Sequence, residues 1–346
     1  MSQAAIEAVA LTKEYENGRG CRNITLRVEQ GEAFGFLGPN GAGKSTFVKM
    51  LVGLVGPTSG QATIWGQPIG SLEARRLIGY LPELYRYQEW LTGQEVLMLH
   101  ARLCGLSKDE AKRTLPELLE EVGIGLRGQD RVKHYSKGMQ QRLGLACALV
   151  GGPKVVFLDE PSSALDPLGR LDVRHLLLRL RQRGITIFLN SHLLEEVETL
   201  CDRVALLNDG RILQTGAVRD VLQEKAKWQF RVGGCTLPAL EWLREMSGFD
   251  ITIRSAEGRD PERGKAVAGP EVRLEVEGSL GDEGYGLGTG EVWLEIMLED
   301  DEQAGWVNQL LFEQGLTLYE VHKAKARLDE WFLGAVSGLN HRGERQ

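Results

Sequence analysis

Eight consecutive residues, Gly38-Pro-Asn-Gly-Ala-Gly43-Lys44-Ser45, place glycines, a lysine and a hydroxyl in the spacing G-x-x-x-x-G-K-[ST]. Glycines let successive backbone N–H groups curl around an anion, a lysine adds positive charge, and a serine hydroxyl is a ligand for Mg²⁺. This is chemistry for holding a polyphosphate. Glu32 to Leu37 reads as the strand leading into the run, and TFVKMLVGL, from Thr46, as the helix that follows and whose N-terminus adds positive potential. Gly38, Asn40, Gly41, Ala42, Gly43, Lys44, Ser45 and Thr46 are therefore expected to contact a nucleotide, with Lys44 at the β- and γ-phosphates.

Val155 to Leu158 is a short apolar strand ending in Asp159-Glu160. Two carboxylates at the carboxyl tip of a buried parallel strand sit where such sheets bind ligands. Asp159 is expected to hold Mg²⁺, directly or through water, and Glu160 to orient or deprotonate the attacking water. An acidic loop would explain the pair taken alone; beside the phosphate loop, it predicts nucleotide hydrolysis.

The elements that must position these groups alternate between strand and helix to about residue 220, the pattern of a mainly parallel sheet covered by helices. Ile6 to Leu11 and Ile24 to Val28 read as strands of an antiparallel edge, with an Asn17-Gly18 turn between them. Ser107 and Glu110 form a capping box that opens a helix reaching about Val122, with Pro116 inside it. Val204 to Leu207 and Arg211 to Gln214 flank Asp209-Gly210, a hairpin signal. Residues 1–224 are expected to form the first domain. Residues 225–346 read as a small α+β domain: strands at Trp228–Val232, Ile251–Arg254, Val272–Val276, Val292–Leu298 and Leu316–Val321, helices at Leu237–Met246 and Glu302–Gln314, and Gly-rich loops at Glu257–Gly269 and Gly278–Gly290.

The 346 residues carry 41 Lys plus Arg against 48 Asp plus Glu, a net charge of −7, which gives no broad basic surface for nucleic acid. No apolar run approaches the roughly 18 residues a membrane span needs, and the first residues lack the pattern of a secretory signal, so a cytosolic chain is expected. The five cysteines, scattered and nowhere in C-x-x-C, argue against a disulfide framework or a zinc site. His322 and the tryptophans at 228, 242, 293, 306 and 331 read as packing residues.

Four further motifs accompany these two. Tyr135-Ser136-Lys137-Gly138-Met139 precedes an apolar helix, Ser163-Ala-Leu-Asp166 follows Glu160-Pro161, and Asn190-Ser191-His192 follows the strand ITIFL. Ile78-Gly-Tyr-Leu-Pro-Glu83 lies upstream of all three. Residues 5 to 220 thereby resemble the ATP-binding subunits of ABC transporters, with the signature, the D-loop, the switch histidine and the Q-loop in the family's order. The signature departs from L-S-G-G-Q at Tyr135, Lys137 and Met139, and the Q-loop carries Glu83 for Gln.

The resemblance implies an α/β fold, a P-loop ABC ATPase domain with a mixed sheet, an antiparallel edge and a helical subdomain at about Thr92 to Leu126. ATP and Mg²⁺ are the implied cofactors. Ser136 and Gly138 would reach nucleotide from a second copy, Asp166 of the D-loop would belong to the nucleotide-binding set, His192 would contact the γ-phosphate and Glu160, and Tyr15 would stack on adenine. Glu83 would join Ser45 and Asp159 at the metal. A plain helix cap for Ser136, an exposed strand tyrosine for Tyr15 and a solvated acid for Glu83 are the bland alternatives. The implied assembly is an ATP-sandwich homodimer at the cytoplasmic face of a membrane, held there by integral permease subunits. The Y-L-P-E and Y-S-K-G-M wording and the tail resemble ABC-2-type exporters, while the cargo stays open. The rival is an ABC ATPase acting as a mechanical switch on ribosomes or DNA. For the second domain the reading is dimer stabilisation or partner binding.

Overall fold

Three strands of the first part of the chain, AFGFL, VVFLD and TIFLN, are buried at every position, as strands covered on both faces must be. In the computed structural model, which describes residues 4–191, 193–223, 226–255, 291–324 and 328, two compact units divide between Val218 and Arg219. The sequence-based boundary at 224 falls just past the short helix that starts at Val218.

The first unit begins with β1 (Ala4–Glu14), β2 (Gly20–Glu29), β3 (Ala33–Leu37) and α1 (Lys44–Leu51). Next come β4 (Ser59–Ile64), β5 (Gln67–Pro68), α2 (Leu72–Arg76) and β6 (Ile78–Leu81). A helical stretch follows, with α3 (Gly93–Leu103), α4 (Lys108–Glu121) and α5 (Lys137–Leu149). The unit closes with β7 (Val155–Asp159), α6 (Pro167–Gln182), β8 (Thr186–Asn190), α7 (Leu194–Leu200), β9 (Arg203–Asn208) and β10 (Arg211–Ala217).

The main sheet has the order β10-β9-β3-β8-β7-β6, parallel from β9 to β6, with β10 antiparallel to β9. The N-terminal strands do not extend it. They form a second, antiparallel sheet, β2-β1-β4-β5, because β1 has a partner on each side. Both sheets and α1 contribute to one apolar core. Five phenylalanines lie fully buried there, with centroid separations of 5.0 Å for Phe36–Phe47, 5.4 Å for Phe36–Phe188 and 5.3 Å for Phe157–Phe188. Such pairs contribute about 0.5–1.5 kcal/mol each beyond burial, and these join the strands and helix that carry the phosphate loop and the two carboxylates. The capping box of Ser107 and Glu110 opens α4 with Pro116 inside it, and a second box, Thr92 with Glu95, opens α3. Among the described residues no helix is long and apolar enough to cross a membrane.

The second unit contains α8 (Val218–Gln223) in most of its length, then β11 (Ala226–Gly233), α9 (Leu237–Ser247), β12 (Ile251–Ser255), β13 (Val292–Leu298), α10 (Asp301–Glu313) and β14 (Thr317–Ala324). Its strands pair antiparallel in the order β12-β13-β11-β14, and Phe230, Val232, Leu294 and Ile296 share a core with α9 and α10. Trp228 and Trp242 pack on that core, and Trp293 stacks on His322 at 5.7 Å. The expected strand at Val272–Val276, both Gly-rich loops and Trp331 lie outside the described residues.

Candidate nucleotide site

At the carboxyl ends of β3, β7 and β8 a cavity of about 630 Å³ opens, lined by Asn40, Gly41, Gly43, Lys44, Ser45, Thr46, Glu83, Asp159 and Glu160. All of these were predicted from sequence. Arg19, Gly20, Ser163 and Asn190 complete the wall.

The phosphate loop is shaped by close backbone approaches. A Cβ at Gly38 would stand 2.2 Å from the Leu207 carbonyl oxygen, and one at Gly43 would stand 2.4 Å from that of Gly20. Gly43, at φ 103°, is also the N-cap of α1, so its conformation and its surroundings both require glycine. The Asp209-Gly210 turn has a second use: the Gly210 N–H donates to the Ala42 carbonyl at 2.9 Å, while the Gly210 carbonyl accepts from the Arg22 N–H at 2.7 Å. The hairpin thereby ties the loop to β2.

Lys44 Nζ donates to the carbonyls of Gly38 (2.7 Å) and Pro39 (3.1 Å), which aims it along the loop. Burial lowers its pKa, and the carboxylates of Glu160, Asp159 and Glu83 act in the opposite direction. Asp159 is only 4% exposed; burial pushes its carboxyl up to about 6, an amide hydrogen bond from Asn190 opposes the rise, Glu83 and Glu160 add to it, and Lys44 opposes it. A bound cation would favour the ionised form. The donor set fits Mg²⁺: the Ser45 hydroxyl and the Asp159 and Glu83 carboxylates are hard oxygens facing one cavity. Among the described residues no cluster of three or more His, Cys, Asp or Glu forms a metal cage.

Glu160 has φ 54°, a left-handed backbone that costs an ordinary residue about 1–2 kcal/mol. Its N–H donates to the Asn190 carbonyl at 2.9 Å, and its own carbonyl accepts from Gln141 Nε2 and Ser163 Oγ, each at 3.1 Å. The reversal after β7 is thus fixed from three sides.

Gly38, Ala42, Ser136, Gly138, Asp166 and Tyr15 do not line the cavity. Exposed Ser136 is the N-cap of α5, its hydroxyl accepting from the Met139 N–H at 3.2 Å. A Cβ at Gly138 would approach Leu165 at 3.1 Å, so α5 packs closely on the segment before α6. Asp166 caps α6 through the Gly169 N–H at 2.7 Å. Tyr15 sits at the mouth of the β1–β2 turn, 39% exposed, with Lys13 Nζ 5.5 Å from its ring centroid. His192 lies outside the described residues.

The family model for ABC transporters matches residues 21–163, the span from β2 to just past the two carboxylates. An ABC transporter ATP-binding protein of a Nostoc strain is 45% identical over 206 residues, 59% of this chain and 61% of its own length. Nod factor export ATP-binding protein I of a Rhizobium strain is 38% identical over 291 residues, which cover 81% of this chain and 92% of that protein. The chain belongs to the ABC transporter ATP-binding proteins. Among solved structures, a dimeric ATP-binding cassette in a post-hydrolysis state with ADP and Pi is 26% identical, with a TM-score of 0.57 over 62% of this chain and 99% of its own. The first unit is accordingly a P-loop ABC ATPase domain.

Within this ABC cassette, Arg19, Gly20, Ser163 and Asn190 on the wall and Gln141 behind it were not expected at the site, and two of them show why. Asn190 ends an apolar strand, and only the β7–β8 register sets it opposite Asp159. Gln141 lies inside α5, where the sequence gives no hint that its amide reaches Glu160.

Proposed function

We propose that this chain hydrolyses ATP as the nucleotide-binding subunit of an ABC exporter, closing on ATP with a second identical copy and driving separate permease subunits at the cytoplasmic face of a membrane. One observation carries the reading. Lys44, Ser45, Asp159 and Glu160 converge on one cavity, while Ser136 and Gly138, which match the family's second phosphate contact, lie outside it. A single protomer therefore surrounds a γ-phosphate from one side. The dimeric cassette and the Nod factor relative support the assembly and the exporter assignment.

The residues divide the work by chemistry. The loop N–H groups, the N-terminus of α1 and Lys44 hold the β- and γ-phosphates. Ser45 and Asp159, with Glu83 at the rim, would hold Mg²⁺, which when bound neutralises phosphate charge. Glu160 orients the water and accepts its proton. Ser136 and Gly138 at the N-terminus of the partner's α5 would complete the anion site.

Turnover per chain should rise with chain concentration until the dimer saturates, and the chain should co-purify from detergent-solubilised membranes with a multi-helix permease. Turnover independent of dilution would overturn the composite site, and recovery with ribosomes or DNA in place of a permease would favour the mechanical-switch rival.

A further inference from the structure

Gln141 is 3% exposed, and both ends of its amide are engaged by segments of the nucleotide site. Its Nε2 donates to the Glu160 carbonyl at 3.1 Å, and its Oε1 accepts from the Tyr85 hydroxyl at 2.8 Å. Tyr85 follows Glu83 by two residues, on the loop between β6 and α3. From there the contact runs outward: the Tyr87 ring lies 5.4 Å from Tyr85 and meets the His100 imidazole of α3 edge-on at 6.1 Å. A buried primary amide is costly unless satisfied, and an apolar residue of like size would fill the same space. What glutamine adds is a rigid link between three segments.

We propose that Gln141 is a positioning residue for Glu160, fixing the peptide that carries this carboxylate and, through Tyr85, tying it to the loop of Glu83 and to α3. The inference rests on the reading of Glu160 as the base. Ser163 also donates to the Glu160 carbonyl, but from the same turn; Gln141 is the donor that comes from α5, the helix opened by Ser136. A shift of α5 or of the Glu83 loop would thereby turn the Glu160 peptide, whose φ of 54° is held by its partners rather than by its own preference.

The test is steady-state ATP turnover by the full chain with Gln141→Leu, which keeps volume and loses both bonds, and Tyr85→Phe, which loses the hydroxyl alone. Gln141→Leu should lower kcat about 5- to 10-fold, the worth of the bond to the Glu160 carbonyl, with KM for ATP within about twofold. Tyr85→Phe should show a smaller loss with the same split. In a Glu160→Gln background, Gln141→Leu should add no further loss, because its effect passes through the missing carboxylate. Normal kcat in both variants, a loss confined to KM, or an equal factor in the Glu160→Gln background would each overturn the proposal. If Gln141→Leu fails to fold, Tyr85→Phe decides by the same criteria. Unimpaired turnover in Glu160→Gln itself would remove the base assignment and this inference with it; turnover lost there but kept in the other two removes only the link.

Discussion

Asn190 Nδ2 donates to Asp159 Oδ1 across 2.5 Å, between residues that are register partners at the carboxyl ends of β8 and β7. Both side chains are buried, so the amide fixes the direction of a carboxylate that is costly to keep charged there. The pairing gives each strand end a part in the same site: one supplies a buried carboxylate, the other fixes its orientation.

Asn190→Ala should cost about 1–3 kcal/mol of stability, the penalty for leaving a buried acceptor without its donor. Asn190→Asp, nearly isosteric, should cost more at neutral pH, because two carboxylates would then face each other. That excess should shrink as pH falls or as Mg²⁺ is added. Thermal unfolding of the three proteins across pH checks the order; equal loss in both variants at all pH values would show that shape, not charge, sets the pairing.

Glu160→Gln should retain ATP binding, lower turnover by about 10²–10⁴-fold, the usual contribution of a general base, and accumulate an ATP-bound dimer. Nucleotide-binding titration and size-exclusion chromatography with ATP report the two halves separately. Monomer elution with ATP bound would contradict the dimer.

Gly43→Ala and Gly41→Ala separate two demands on glycine. At Gly41, φ is 85° but nothing lies within 4 Å of an added Cβ, so the cost should be the conformational one of about 1–2 kcal/mol. At Gly43 the added carbon meets the Gly20 carbonyl, and the loop or β2 must move. ATP affinity should fall much further in Gly43→Ala; similar affinities would mean that the loop yields freely.

Burial holds the His100 imidazole below its ordinary pKa, so the folded chain disfavours the charged ring. The unfolded chain takes up this proton first, near pH 6.5. The stability linked to His100 is therefore whole above that pH and is lost as acid lowers the pH through it toward the folded value. His100→Phe should flatten the fall in thermal midpoint between about pH 7.5 and 5.5 relative to the parent; parallel curves would assign the dependence to other groups.

Much of this site was legible because its chemistry is local in the chain. The run from Gly38 to Ser45 contains its glycines, its charge and its hydroxyl, and the apolar strand before Asp159-Glu160 announces where the carboxylates end up. What stayed hidden depends on pairing between distant segments. Asn190 needed the β7–β8 register, Gln141 needed the packing of α5 beneath Glu160, and the separate antiparallel sheet needed β4, whose sequence SGQATI is too short and polar to announce a strand. The helical stretch shows the same division: Ser107 and Glu110 stand three apart and declare a helix start, while the contact of Tyr85 with Gln141 spans 56 positions.

Phe36 stands two residues before the phosphate loop and Phe47 two residues after its lysine and serine, and their rings meet in the core. The strand entering the loop and the helix leaving it are therefore clamped together when the hydrophobic interior assembles. The entropy of closing this short segment is spent during folding, so an arriving triphosphate meets a finished cradle and its contacts go largely into affinity.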